Sequence, residues 1–209
     1  MIYFANPTGG ALTHMLNGEL GFIDTPLQGN RRPAAIPFWC ADNGCFNDSR
    51  FDVEKWWAWL ESHVADIETC VFATAPDVVG DHGATLKRSR PWLPKIRGLG
   101  YKAAFVAQDG ATIDTTPWQN FDVLFIGGTT EFKLGHTARE LVTHAKTLGM
   151  WVHMGRVNSA KRVRYAESIG CDSVDGTKLV FAPDENLPMV LGWLDDLKAQ
   201  PALFQVDAS

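Results

Sequence analysis

The sequence is poor in cysteine and lacks the cysteine spacing of a zinc or redox site. None of its four cysteines forms a C-x-x-C pair with another, and all of them stand in apolar or turn contexts: Cys40, Cys45, Cys70 and Cys171. Paired cysteines at that spacing are the usual signature of zinc binding or thiol redox chemistry. We therefore expect reduced thiols and neither of these sites.

Long apolar runs are also lacking. No segment approaches the roughly 20 apolar residues of a membrane-spanning helix, and the opening MIYFANPTGG has no basic region followed by an apolar stretch. We expect a cytoplasmic protein without membrane contact. No linker rich in proline, serine and glycine divides the chain, so residues 1–209 are predicted to form a single domain.

An excess of basic residues is absent as well. The formal net charge is −5, which argues against a general electrostatic binder of nucleic acid. Local basic groups nevertheless occur, the largest of them between Lys87 and Arg97. A solvated helix surface is the simpler interpretation of this group, and phosphate binding is the alternative.

What the sequence does contain is a series of short apolar runs separated by longer amphipathic stretches. This alternation predicts parallel strands joined by helices. The predicted strands are 2–5, 36–41, 70–75, 102–107, 123–128, 151–155 and 171–174, with a weaker eighth at 178–182. The predicted helices are 10–17, 52–64, 86–99, 134–148, 159–169 and 187–198. The order predicts an α/β fold, namely a compact (β/α)8 barrel of the TIM type with parallel strands.

Polar residues collect at the ends of these predicted strands, where such barrels place their active sites. Taken singly, each is explained as a turn residue or a helix cap, whereas their joint placement indicates a site. The segment GCDSVDGTKL is the sharpest case, because Asp172 and Asp175 bracket a short apolar strand. A carboxylate there costs desolvation free energy unless it is paired, hydrated or used in chemistry.

Four segments at these strand ends resemble, in the same order, motifs of the tRNA-guanine transglycosylase family. ADNGCF at 41–46 resembles its D-S-G-G-F segment, FVAQDG at 105–110 its V-Q-G-G stretch, and FIGG at 125–128 its G-G-L segment. MGRVNSAKRVRYAESIGCDSVDGT at 154–177 is similar to its M-G-x-G-T-P…G-x-D-x-x-D run. Within this family, the sequence is most similar to the short DNA-acting members, which place 7-deazaguanine bases in DNA.

The resemblance implies a role for each matching residue. Asp175 takes the place of the nucleophile and Asp42 that of the acid/base. Asp77 takes the place of the base-recognition aspartate, with Asp81 as a second candidate, and Gln108 would hydrogen-bond the base. The full set of substrate-binding candidates is Asp77, Gln108, Gly127, Gly128, Asn43, Asp81 and Arg156, in which the two glycines present backbone groups and Arg156 meets phosphate.

The implied chemistry explains why two carboxylates are needed. Base exchange in an intact strand breaks an N-glycosidic bond and re-forms it at the same sugar carbon. One carboxylate attacks C1′ to give a covalent glycosyl-enzyme, and the other handles the proton of the leaving base. The implied partners are nucleic acid, with DNA favoured and tRNA kept as the alternative, and a 7-deazaguanine base, with no cofactor and no metal.

One departure from the family bears on the substrate. The tRNA enzymes carry a zinc-binding subdomain of three cysteines and a histidine after the nucleophile, and here no cysteine or histidine follows Cys171. This favours DNA over tRNA, and a chain this short suits a phage genome. A homodimer or an accessory subunit stays open as the source of further nucleic-acid surface.

Three alternatives compete with base exchange. The same intermediate could pass to water, which makes a nucleosidase or a base-excising glycosylase. A metal-dependent barrel hydrolase would use oxygen ligands for Mg²⁺ or Mn²⁺, namely Asp42, Asp77, Asp81 and Asp175. A non-catalytic binder would keep only the base pocket. Asp172 is expected to support Asp175 through a shared network, and the histidines His82, His136 and His153 are expected to be exposed or packed.

Overall fold

Eight parallel strands close into a barrel in the part of the chain that the computed structural model describes, residues 1–27, 31–46 and 48–199. Each strand pairs with the next along the chain, and the last pairs with the first. The strands are β1 Ile2–Ala5, β2 Gly21–Asp24, β3 Trp39–Ala41, β4 Cys70–Thr74, β5 Ala103–Ala107, β6 Val123–Ile126, β7 Trp151–Met154 and β8 Ser173–Asp175. The predicted (β/α)8 barrel is confirmed.

Helices cover the outside of this barrel. They are α1 Ala11–Leu16, α2 Val53–Ser62, α3 His82–Ser89, α4 Leu93–Gly98, α5 Thr130–Leu134, α6 His136–Thr147, α7 Ala160–Ser168 and α8 Pro183–Ala199. The described residues between β2 and β3 contain no helix, so this βα unit is abbreviated. Among the described helices, none has the length and apolarity that a membrane crossing requires.

One strand was missed, and one predicted strand is wrong. The strand β2 was not predicted, because Gly21–Asp24 is short and carries a glycine and an aspartate at its ends. Gly21 is required there, since a Cβ would lie 2.3 Å from Cδ1 of Phe4. The segment 178–182 is not a strand, and Lys178–Val180 forms a 3-10 helix instead. Because β8 pairs with β1, the barrel leaves no free edge for another strand.

The helix predictions differ mainly in their breaks. The predicted helix 86–99 is divided into α3 and α4, and Pro91 lies between them. Proline lacks the backbone N–H and disfavours helical geometry in the residue before it. The predicted helix 134–148 begins earlier and is divided at Gly135, whose backbone is extended.

The core has two apolar layers. The larger layer lies between the strands and the surrounding helices. A smaller cluster fills the inside of the barrel, and its buried members are Phe4, Cys40, Phe72, Ala104 and Val123. Side chains alternate between these layers along each strand. Cys40 and Phe72 also line the cavity at the mouth of the barrel, so the inner cluster forms the floor of that cavity.

Candidate active site

A cavity of about 470 Å³ opens at the carboxyl ends of the strands. This volume falls in the range of small-molecule sites. Its polar lining comes from residues at the ends of many strands: Asn6, Thr25, Asp42, Asn43, Thr74, Asp77, Gln108, His153, Arg156, Asn158, Asp175 and Thr177. Of the predicted site residues, Asp81 is the one that does not line this cavity.

Asp175 ends β8, and each of its carboxylate oxygens lies within hydrogen-bond distance of a nitrogen. The backbone N–H of Arg156 donates to Oδ1 at 2.8 Å, and Nε2 of His153 lies 2.9 Å from Oδ2. Arg156 has a φ of 58°, which is uncommon for a residue other than glycine. The side chain of Asp175 keeps 18% exposure, so the carboxylate is fixed in orientation and still reaches the cavity.

Asp42 directly follows β3, and its carboxyl differs in character from that of Asp175. Burial, followed by the negative charges of Asp175 and Asp77, raises the pKa of Asp42 to about 7, although hydrogen bonds from the backbone of Asn43 and Gly44 act in the opposite direction. A carboxyl with a pKa near 7 can donate and accept protons at neutral pH.

Asp77, beyond the end of β4, is buried between two amides. Asn43 donates from Nδ2 to Oδ1 at 2.9 Å, and Gln108 donates from Nε2 to Oδ2 at 2.5 Å. Burial raises the pKa of Asp77, and these hydrogen bonds oppose the shift. Backbone N–H groups fix both amides, because Cys45 donates to Oδ1 of Asn43 and Gly80 donates to Oε1 of Gln108.

Gly127 and Gly128, predicted to present backbone groups to the base, both line the cavity, but the amide of Gly127 is not available. The N–H of Gly127 donates to the carbonyl of Ala107 at 2.9 Å and is therefore occupied in the sheet. What Gly127 provides is space, because a Cβ would lie 2.9 Å from Nε2 of Gln108. Gly128 has a φ of 76°, and its carbonyl accepts a hydrogen bond from the guanidinium of Arg156.

Two predicted acids lie away from the cavity. Asp81 is exposed and caps α3, where its Oδ1 accepts a hydrogen bond from the N–H of Ala84. Asp172 precedes β8 and so lies at the opposite end of the strand from Asp175. It pairs with Lys146 at 2.8 Å and accepts from the N–H of Val152 at 2.7 Å. The expected shared network of Asp172 and Asp175 is wrong.

The basic group between Lys87 and Arg97 does not line this cavity. Arg97 pairs with Asp122, which precedes β6 and so marks the amino ends of the strands. Arg88 donates to the backbone carbonyl of Asp77 at 2.9 Å. Arg156 is thus the predicted phosphate-binding residue that the fold brings to the site.

Two residues at or behind the site escaped the sequence prediction. His153 is packed, as expected, but it also holds Asp175 and lines the cavity. Side chains alternate between the two faces along β7, so this alternation could have placed His153 on the inside of the barrel. There it lies in register with Phe125 of the neighbouring strand β6. Lys133 is buried and donates to the carbonyl of Gly155 at 2.8 Å. Burial and the charge of Arg156 lower the pKa of Lys133 to about 8.

The metal-hydrolase alternative requires the same carboxylates to converge on one ion. Among the described residues, no three histidine, cysteine, aspartate or glutamate side chains are grouped so that they could hold a metal ion. The metal-hydrolase alternative also needs Asp81 near the other acids, and Asp81 serves as a helix cap elsewhere.

Comparisons with known proteins identify the fold. No family model matches the chain, and no curated protein does. Among solved structures, tryptophan synthase from M. tuberculosis, in its open form with BRD0059 bound, is similar with a TM-score of 0.52 and 15% identity, over 95% of this chain and 91% of that one. The HpcH/HpaI aldolase from Desulfitobacterium hafniense DCB-2 has a TM-score of 0.48 and 10% identity, over 97% and 94%. At 15% identity the similarity to tryptophan synthase shows a shared fold alone, and function has to be argued from the site.

Proposed function

We propose that this protein is a base-exchange transglycosylase that replaces guanine in nucleic acid by a 7-deazaguanine derivative through a covalent glycosyl-Asp175 intermediate. The observation that carries the proposal is the contrast between two carboxyl groups in one cavity. Asp175 is oriented by the backbone N–H of Arg156 and by a ring nitrogen of His153, and Asp42 has a pKa of about 7. Pairs of acids with such different environments are typical of glycosidic bond chemistry.

In the first half of the proposed reaction, an oxygen of Asp175 attacks C1′ of the target nucleoside. The bond between C1′ and N9 breaks, and its electron pair stays with the departing guanine. The proton on Asp42 moves to this base, which leaves as neutral guanine. The products are a glycosyl ester on Asp175 and an ionised Asp42.

In the second half, the incoming 7-deazaguanine gives its N9 proton to the ionised Asp42. Its N9 then attacks C1′, and the ester bond to Asp175 breaks with release of the carboxylate. Both acids return to their starting states, and the strand is never cut. The raised pKa of Asp42 suits both directions of proton transfer. A carboxyl whose pKa is close to neutral pH is strong enough as an acid in the first half and as a base in the second.

The buried group of Asp77, Asn43 and Gln108 supports a guanine-like base. The Asp77 carboxylate can accept from N1–H and the 2-amino group of guanine. The fixed amide of Gln108 has a second N–H that can donate to O6. Val106 and Phe125 line the same cavity and offer apolar contact to a planar ring.

The residues at the mouth of the cavity support the proposal that the substrate is a polymer. The target base has to leave its stack to reach Asp175. Phe46 and Phe181 line the mouth with 72% and 68% exposure, and the guanidinium of Arg156 lies 5.4 Å from the ring centre of Phe46. Exposed aromatic rings beside a cation favour stacking with single-stranded nucleic acid. The preference for DNA and for a 7-deazaguanine comes from the family resemblance.

The test is incubation of the purified protein with radiolabelled guanine and with single-stranded DNA, double-stranded DNA or tRNA. Covalent adducts are then sought on a denaturing gel. Incorporation of label together with an adduct is the expected result. Release of free base with an abasic product would identify the hydrolytic alternative. Base binding without adduct, exchange or release would identify the binder and overturn the proposal.

A further inference from the structure

A chain of polar side chains runs into the apolar interior of the barrel behind Asp175. Nε1 of Trp151 donates to Oγ of Ser173 at 2.9 Å, and the same Oγ lies 2.9 Å from Nδ1 of His153. Nε2 of His153 lies 2.9 Å from Oδ2 of Asp175. Ser173 and His153 are 0% and 1% exposed.

The surroundings of His153 give it no other polar partner among the described hydrogen bonds. Its ring packs against Phe4, Phe72 and Phe125, with centroid distances of 6.0, 5.0 and 4.4 Å. Polar groups in such an interior cost free energy unless each is hydrogen-bonded. All of these polar side chains are hydrogen-bonded only when their donated hydrogen bonds point in the same direction along the series.

That direction follows from the chemistry of the four side chains. The indole N–H of Trp151 can only donate, so Ser173 accepts there and has one hydroxyl proton left. An ionised Asp175 can only accept, so Nε2 of His153 carries a proton. The hydroxyl of Ser173 then donates to an unprotonated Nδ1, and every proton has one acceptor.

The arrangement contains serine, histidine and aspartate but does not make Ser173 a nucleophile. The Ser173 hydroxyl is fully buried and is occupied by Trp151 and His153, so no substrate can reach it. His153 and Asp175 both line the cavity, and Asp175 is the more accessible of the two, with 18% side-chain exposure against 1%. The series of hydrogen bonds therefore runs from Trp151 to the carboxylate of Asp175, which is the group that can meet a substrate.

We infer that His153 is a positioning residue for Asp175, held by Asp175 and Ser173 in the tautomer with its proton on Nε2. This inference rests on the proposed function for its catalytic consequence, whereas the tautomer itself does not. His153 holds Oδ2 while the N–H of Arg156 holds Oδ1. The plane of the carboxylate is thereby fixed before the sugar arrives, which lowers the cost of reaching a reactive geometry.

The same hydrogen bond acts when the glycosyl ester is resolved. Negative charge returns to the Asp175 carboxylate as its bond to C1′ breaks. A fixed N–H at Oδ2 stabilises that charge without rearrangement. Loss of His153 is therefore expected to slow the turnover of bound substrate more than its binding.

The first test is ¹⁵N NMR of the histidine side chains in the whole protein, with His153 assigned from the signals lost in His153→Leu. The expected result near neutral pH is a proton on Nε2 and none on Nδ1. In Ser173→Ala the proton is expected to stay on Nε2, because the Asp175 carboxylate still accepts it, whereas the ¹⁵N signal of Nδ1 is expected to shift because its donor is lost. A proton on Nδ1 of the unmodified protein overturns the inference.

The second test compares the kinetics of two variants in base exchange. His153→Leu keeps an apolar side chain but no donor, and we expect kcat to fall on the order of 100-fold with KM within about 3-fold. His153→Gln offers an amide N–H near the place of Nε2, and we expect it to restore kcat to within about 10-fold of the unmodified protein. Equal kcat in all three proteins, or a loss confined to KM, overturns the positioning role.

The two tests separate failure of this inference from failure of the proposed function. Absence of exchange with every polymer, together with the expected tautomer, contradicts the transglycosylase proposal while the hydrogen-bond chain stands. Exchange in the unmodified protein with an undiminished His153→Leu contradicts the inference and leaves the proposed function intact. Folding of each variant is checked by thermal unfolding.

Discussion

Gln108 donates a hydrogen bond from Nε2 to Oδ2 of Asp77 across 2.5 Å, and its own oxygen is fixed by the N–H of Gly80 at 2.9 Å. Asp77 comes from the loop after β4 and Gln108 from the end of β5. Asn43, after β3, completes the group at Oδ1. Three separate strand ends thus build one buried hydrogen-bonded group, and the barrel holds it beside Asp42.

Asp77→Asn should weaken guanine binding by roughly 10- to 100-fold, because an NH₂ group would then face the NH₂ of Gln108 or Asn43 and remove an acceptor of the base. Calorimetric titration with guanine measures this effect. Asp81→Asn is the matched control, since asparagine also caps helices and Asp81 lies outside the cavity. Unchanged affinity in Asp77→Asn would contradict the assigned recognition role.

Gly127→Ala should displace Gln108, because the new Cβ would lie 2.6 Å from Cγ1 of Val106 and 2.9 Å from Nε2 of Gln108. We expect a loss of about 1–3 kcal/mol in the free energy of unfolding, together with weaker base binding. Gly192→Ala is the control in α8, where a Cβ meets no atom within 4 Å. There the stability should rise by up to about 1 kcal/mol. Denaturant unfolding measures both, and equal responses would contradict the packing at Gly127.

Asp175→Asn should abolish adduct formation and lower exchange by at least about 1000-fold, because the attacking oxygen is lost. Asp172→Asn changes the other aspartate of the same segment, which pairs with Lys146 at the opposite end of β8. It should keep exchange near the unmodified level. Gel trapping and label exchange measure both variants, and an active Asp175→Asn would exclude the nucleophile.

Asp42→Asn should increase stability at neutral and higher pH. Burial, with the charges of Asp175 and Asp77, raises the pKa of Asp42 from 3.8 to about 7 in the folded protein. Between these values the folded state holds a proton that the unfolded state has lost, so stability falls as pH rises from about 4 to about 7. The asparagine variant lacks this penalty, and its advantage should grow to at most about 4 kcal/mol above pH 7.

Denaturant unfolding of both proteins at several pH values checks this expectation. The difference between them should be small near pH 4 and constant above pH 7. A difference that does not vary with pH would show that Asp42 ionises normally. In exchange assays the variant should bind guanine and fail to transfer it.

Arg156→Gly and Arg156→Ala separate the backbone of this residue from its guanidinium. Both keep the N–H that holds Asp175, but only glycine adopts a φ of 58° without strain. The glycine variant should be about 1 kcal/mol more stable than the alanine variant. Both should lose affinity for nucleic acid to a similar extent, as measured by fluorescence anisotropy. Equal stability would contradict the strain, and retained affinity would remove phosphate binding from Arg156.

Much of the fold could be predicted from local pattern, with identifiable exceptions. Short continuous apolar runs predicted β1 and β3 to β8, because strands of a parallel barrel are buried on both faces. The strand β2 was not predicted, since glycine has a low strand propensity and Gly21 is needed for close contact with Phe4. The segment 178–182 looked like a strand, yet closure of the barrel by β1 and β8 left it no partner.

The sequence by itself determined which acids follow strands, and therefore that Asp42, Asp77 and Asp175 would share one end of a parallel barrel. It placed Asp172 in a network with Asp175, because local pattern does not show that the two lie at opposite ends of one short strand with separate partners. Only the tertiary structure decided that His153 points at Asp175 and that the Gly127 amide is occupied by Ala107. Hydrogen bonds between residues far apart in the chain depend on strand register and closure, which no local pattern contains.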